Sequence, residues 1–145
     1  MKKKLLLLAL CVTAPACESI TGPSYPDVAG TYSGPLVWSV SLDPSPITGA
    51  MNITVVQQDN QLTVTGSITV LGVTSQLPAI TGTINETGFF TATGGGAAST
   101  FPDPTCGVIT ATSSTLTFSG NSARFLETAT TQYCGSWSFD ATLTR

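Results

Sequence analysis

Apolar and small polar residues alternate one by one along most of this 145-residue chain, a period of two that leaves room for little but a sheet. Tyr32, Gly34, Leu36, Trp38, Val40 and Leu42 alternate with Thr31, Ser33, Pro35, Val37, Ser39 and Ser41. Leu62, Val64, Ile68 and Val70 share one parity, and Thr63, Thr65, Ser67 and Thr69 the other. Trp137, Phe139, Ala141 and Leu143 repeat the scheme against Ser136, Ser138, Asp140, Thr142 and Thr144. Successive side chains of a strand point to opposite faces, so this pattern gives each strand one dry face and one wet face. Threonine suits the wet one, being β-branched, at ease in extended backbone and tolerant of water. No segment carries the 3.6-residue period of an amphipathic helix. The chain reads as all-β and antiparallel.

Turn signals separate the alternating runs. Asp59-Asn60 and Asn85-Glu86-Thr87-Gly88 each join two runs as a hairpin, and Ser113-Ser114 and Gly120-Asn121-Ser122 mark later reversals. Eight or nine strands are predicted, over 31–42, 51–58, 61–71, 75–84, 89–93, 108–112, 115–119, 123–133 and 136–144. Gly66 and Gly82 interrupt strand interiors, where glycine marks a bulge or a sharp bend. Short hairpins with bends built in predict an up-and-down β-barrel, with a two-sheet β-sandwich as the alternative. Residues 28–145 make one domain.

The first seventeen residues follow another rule. Lys2, Lys3 and Lys4 precede an apolar run from Leu5 to Val12, and Thr13-Ala14-Pro15-Ala16 places small residues before Cys17. Eight apolar residues are too few to cross about 30 Å of hydrocarbon as a helix, so this is an export leader. Over these residues the chain resembles bacterial lipoproteins, whose leader ends in Leu, a small residue, Gly or Ala, then Cys. Ala16 and Cys17 match, whereas Ala14 stands where Leu is usual and Pro15 is a second departure. The resemblance implies a signal peptide over 1–16, a lipid on Cys17, and a tether over 17–27. Ala14-Pro15-Ala16 also fits an ordinary cleavage site, which makes secretion the alternative. Cysteine arithmetic favours lipidation. Cys11 would leave with the leader, Cys106 and Cys134 form an even pair for a disulfide in an oxidising compartment, and lipid accounts for Cys17.

Without the leader, two cationic residues, Arg124 and Arg145, stand against eight acidic ones, a net charge of −6. Such a chain has no basic face with which to displace the counterions of nucleic acid. It has no histidine and, past the leader, no lysine, so the commonest general base and amine nucleophile are missing. No serine sits in Gly-x-Ser-x-Gly, and no Asp-x-Asp pattern supports a calcium site. No catalytic residue, cofactor or metal is expected. Glu127 shares parity with Phe125, and a solvated carboxylate is expected there, since a buried one would need Arg124 or Arg145 beside it.

Gly30-Thr31-Tyr32 then becomes informative. The chain resembles the lipocalin-like barrels of the calycin group, which open their first strand with Gly-x-Trp and close that end with an arginine from the last strand. Here Tyr32 replaces the tryptophan, and Arg145 or Arg124 would supply the cation. The resemblance implies an apolar cavity for a small molecule, with Tyr32, Trp38, Phe118, Phe125, Trp137 and Phe139 as candidate lining residues. Against it stands a barrel interior filled by those same bulky side chains. The connection from Gly94 to Gly107 reads as a surface loop, or as a lid over the barrel mouth.

The functional expectation is a non-catalytic lipoprotein of the bacterial cell envelope, facing the periplasm or the cell surface and held to the membrane through Cys17. It would act as an interaction or structural module, bound to another envelope protein. The alternative is a lipocalin-like carrier of a small apolar ligand, with a hydrolase a distant third.

Overall fold

The computed structural model describes residues 23–94, 100–103 and 106–145. The leader, Cys11, Cys17, the first part of the tether and the middle of the Gly94–Gly107 connection lie outside the described residues. The described chain forms nine strands: β1 (Gly30–Val40), β2 (Asp43–Gln58), β3 (Gln61–Val70), β4 (Val73–Ile84), β5 (Phe89–Gly94), β6 (Thr100–Asp103), β7 (Gly107–Ser119), β8 (Ser122–Thr131) and β9 (Ser136–Thr144). All pairings are antiparallel. β1 pairs with both β2 and β9, and β5 pairs with β7, so eight strands close into an up-and-down barrel. β6 stands outside that ring, hydrogen-bonded to the start of β7.

Local chemistry accounts for the reversals. Asp59 adopts a left-handed φ of 53° in the two-residue turn between β2 and β3. The Asn85 carboxamide oxygen accepts from the backbone N–H of Thr87 at 3.0 Å and of Phe89 at 2.9 Å, which stabilises the turn into β5. The ladder shifts register beside Gly66 and beside Gly82. At Gly66 the backbone of Asn52 and Ile53 on β2 fills the space a Cβ would occupy, so the close approach requires glycine there.

One expected reversal is absent. Ser113 and Ser114 lie inside β7, which runs unbroken from Gly107 to Ser119. The irregularity in this segment is a bulge, with a register shift between Ala111 and Ser113. The extra residue is Thr112, whose hydroxyl donates to the Thr128 carbonyl at 3.0 Å. A second difference is β6, which lies within the connection read as loop or lid.

The two ends of the barrel differ. At one end the incoming chain folds across the bottom. Gln57 Nε2 donates to the Pro26 carbonyl and Gln57 Oε1 accepts from Val28 N–H at 2.8 Å. The Tyr32 hydroxyl donates to the Val28 carbonyl at 3.0 Å. Val28, Tyr32, Leu36, Ile53, Leu62, Ile84, Phe118 and Leu143 are all buried here and form a packed floor. Cys106 and Cys134 are joined by a disulfide at the other end, with Cα atoms 5.0 Å apart. It fastens the start of β7 to the hairpin between β8 and β9.

Candidate functional site

Above the floor the barrel is hollow. A cavity of about 940 Å³ occupies the half nearer the disulfide. Its walls are apolar on the β3–β4 side, through Ile68, Val70, Leu77 and Ile80, and aromatic on the β8, β9 and β1 side. The strand pairing explains the space. β5 and β7 meet only at Phe89–Thr117 and Phe90–Leu116, so above that point the ring has no ladder between them among the described residues. β5 ends at Gly94, and among the described residues Val73–Ile80 of β4 is paired on one side only.

Of the six candidate lining residues, Trp38, Phe125, Trp137 and Phe139 line this cavity. Tyr32 and Phe118 do not. They belong to the floor, with ring centroids 5.5 Å apart, because Tyr32 lies near the start of β1 and Phe118 near the end of β7, both at the closed end. Trp38, Trp137 and Phe139 form one aromatic wall. The Trp38 and Trp137 centroids lie 4.9 Å apart at 62°, and Phe139 is 6.0 Å from Trp38 and 6.1 Å from Trp137. Such tilted and edge-to-face contacts match the ring quadrupoles. The Trp38 indole N–H is buried with no hydrogen-bond partner among the described residues.

Glu127 departs from expectation. It is half-buried, faces inward on β8, and lines the cavity beside Ser114 of β7 and Phe139 of β9, its direct cross-strand neighbours. Burial pushes its carboxyl above the ordinary glutamate range. Neither arginine reaches it. Arg124 lies on the outer face, where Nη2 sits 2.9 Å from Asp140 Oδ2, and the hydrogen bond from Arg124 holds the Asp140 carboxyl below its usual range. Arg145 crosses the closed end, 5.8 Å over the Tyr32 ring, and donates to the Ala29 carbonyl and to Asn121 Oδ1. No hydrogen bond or ion pair to the Glu127 carboxylate occurs among the described residues.

No family model matches this chain, and no curated protein matches it either. The site therefore speaks for itself. Sequence reasoning found its aromatic wall and missed its polar strip. Thr112, Ser113 and Ser114 line the cavity next to Glu127, because the bulge in β7 turns a segment that reads as a reversal into wall. The parity of Glu127 with Phe125 was the available signal for its inward placement. Among the described residues no three cysteine, aspartate or glutamate side chains come together to hold a metal ion.

Proposed function

We propose that this chain is a non-catalytic carrier of the bacterial cell envelope whose barrel holds one small, largely apolar molecule. The observation that carries the reading is the cavity of about 940 Å³ above a fully packed floor. It has the size and the mostly apolar lining of small-molecule sites. A barrel selected only as a spacer or scaffold gains stability by filling that space, since each unfilled methyl-sized void costs about 1 kcal/mol. The leader and Cys17 supply the location: a lipid on Cys17 would attach the chain to a membrane by way of the tether that leads into the closed end at Val28. Native mass spectrometry of gently purified protein tests the carrier. A non-covalent adduct released on denaturation supports it, and a bare mass after several growth conditions removes it. Incorporation of labelled fatty acid that disappears in Cys17→Ser tests the anchor.

A second reading, an interaction module, is favoured by the rim of the open end. Leu42, Leu71, Val73 and Tyr133 are each at least two-thirds exposed there, with Val108 half-exposed. A ring of bare apolar side chains suits contact with another envelope protein. Crosslinking from Leu71 or Tyr133 replaced by a photoreactive residue tests it in cells, where a discrete protein adduct supports docking and its absence counts against it.

A further inference from the structure

Among the described residues the cavity wall combines three features: aromatic faces, one carboxylate, and no compensating cation. Register places them side by side. Glu127 on β8, Phe139 on β9 and Trp38 on β1 are successive Cα partners across three neighbouring strands, all facing the interior. Neighbouring strands lie about 4.8 Å apart, so the backbones of Glu127 and Trp38 stand roughly 10 Å apart, with the Phe139 ring between them. One row nearer the mouth, Ala129 pairs with Trp137 and packs against it, which fixes the aromatic wall above Glu127.

We propose that the cavity takes an organic cation, an amine or quaternary ammonium on an apolar body, with its charged end held between Glu127 and the aromatic wall of Trp38, Trp137 and Phe139. The inference rests on the carrier reading and names the ligand class. Ring faces carry negative potential and attract cations lying within about 6 Å. Glu127 has given up part of its hydration without gaining a partner, and an ammonium group restores what it lost. A neutral guest would leave that carboxylate against apolar surface, and an anionic guest would be repelled by it. Ser114, the cross-strand partner of Glu127 on β7, adds an uncharged hydroxyl beside the same position. The groups around Glu127 are Ser114 from β7, Phe139 and Trp137 from β9, and Trp38 from β1. Among the described residues no other charged side chain lines the cavity.

Two probes of one shape separate the possibilities: 1-pyrenemethylammonium and 1-pyrenemethanol, each titrated into the full-length chain at neutral pH. Energy transfer from Trp38 and Trp137 to pyrene reports binding. The ammonium probe is expected to bind about tenfold more tightly than the alcohol, a preference of cation–π and charge-pair size. That preference should fall in Glu127→Gln to the part that the aromatic rings alone supply. In the unaltered chain it should also fade as the pH falls through the titration of the Glu127 carboxyl, a readout that needs no variant to fold. If neither probe binds, the carrier reading fails. If both bind equally, the carrier stands and the cation inference is overturned. A preference that survives undiminished in Glu127→Gln overturns it too.

Discussion

Glu127 occupies a position where alternation and burial would otherwise favour a leucine, between inward Phe125 and Ala129 on β8. An ionised carboxylate held against aromatic surface is a liability to the empty barrel, and the sign of its effect on stability follows. Its carboxyl in the folded chain titrates above the value it has unfolded, because burial disfavours the charged form. Between those two values the folded state binds more protons, so stability falls as pH rises through that window and stays reduced above it. Below about pH 4 both states are protonated and the effect is gone. Thermal unfolding of the unaltered chain and Glu127→Gln should thus show the variant more stable at neutral pH, with the difference closing on acidification. Asp140 contributes in the opposite sense, its stabilisation being present above its unfolded value and lost as the pH falls, but it does so equally in both chains and cancels. A variant less stable than the unaltered chain at neutral pH would show that the carboxylate has a partner.

At the scale of elements, β7 separates what was legible from what was not. Period two made most of the ring readable, though it split β7 in two and missed the first half of β2. Turn residues at Asp59-Asn60 and Gly120-Asn121 placed their hairpins, because each signal is carried by adjacent residues. Ser113-Ser114 misled because serines at a loss of phase look alike whether the chain reverses or bulges. The two outcomes differ only in how the partner strand continues, and β8 continues opposite all of β7. Gly66 was readable as a bend because a backbone packed against Cα excludes every other residue. The cysteine pair was readable as well, and it connects elements: Cys106 precedes β7 and Cys134 lies in the turn between β8 and β9, 28 residues on. Closing a loop of that length is worth about 3–4 kcal/mol in the chain-entropy model. Replacing both cysteines with alanine should lower the unfolding free energy by up to that amount in urea titration. The floor contacts and the closed-end pairing of β5 with β7 should persist, read as unchanged amide exchange at Tyr32, Phe90 and Leu116. Loss of protection there would mean that the bridge holds the whole ring and not the mouth alone.

As a whole molecule the barrel divides into a half that stores stability and a half that stores space. The two halves look alike in the sequence, since Leu36 and Trp38 are two residues apart with the same parity, and periodicity carries no information about height along the barrel axis. What separates them is the geometry of closure. Leu36 is fully buried in the floor, whereas Trp38, paired with the same two strands, is half-buried and lines the hollow, across the barrel from the stretch where β5 and β7 have no ladder among the described residues. The two positions should answer truncation differently. Leu36→Ala opens a void in close-packed surroundings and should cost about 2–5 kcal/mol. Trp38→Ala only enlarges a hollow already present, so its cost should fall below the roughly 3–5 kcal/mol that removing a large aromatic takes from a filled core. Urea unfolding measures both, and pyrene binding supplies the second axis: Leu36→Ala should keep the affinity of whatever fraction is folded, while Trp38→Ala should lose it. A large stability loss at Trp38 without loss of binding would mean that the aromatic wall is structural core, and the guest would then have to be sought against the apolar β3–β4 wall of Ile68, Val70, Leu77 and Ile80 instead.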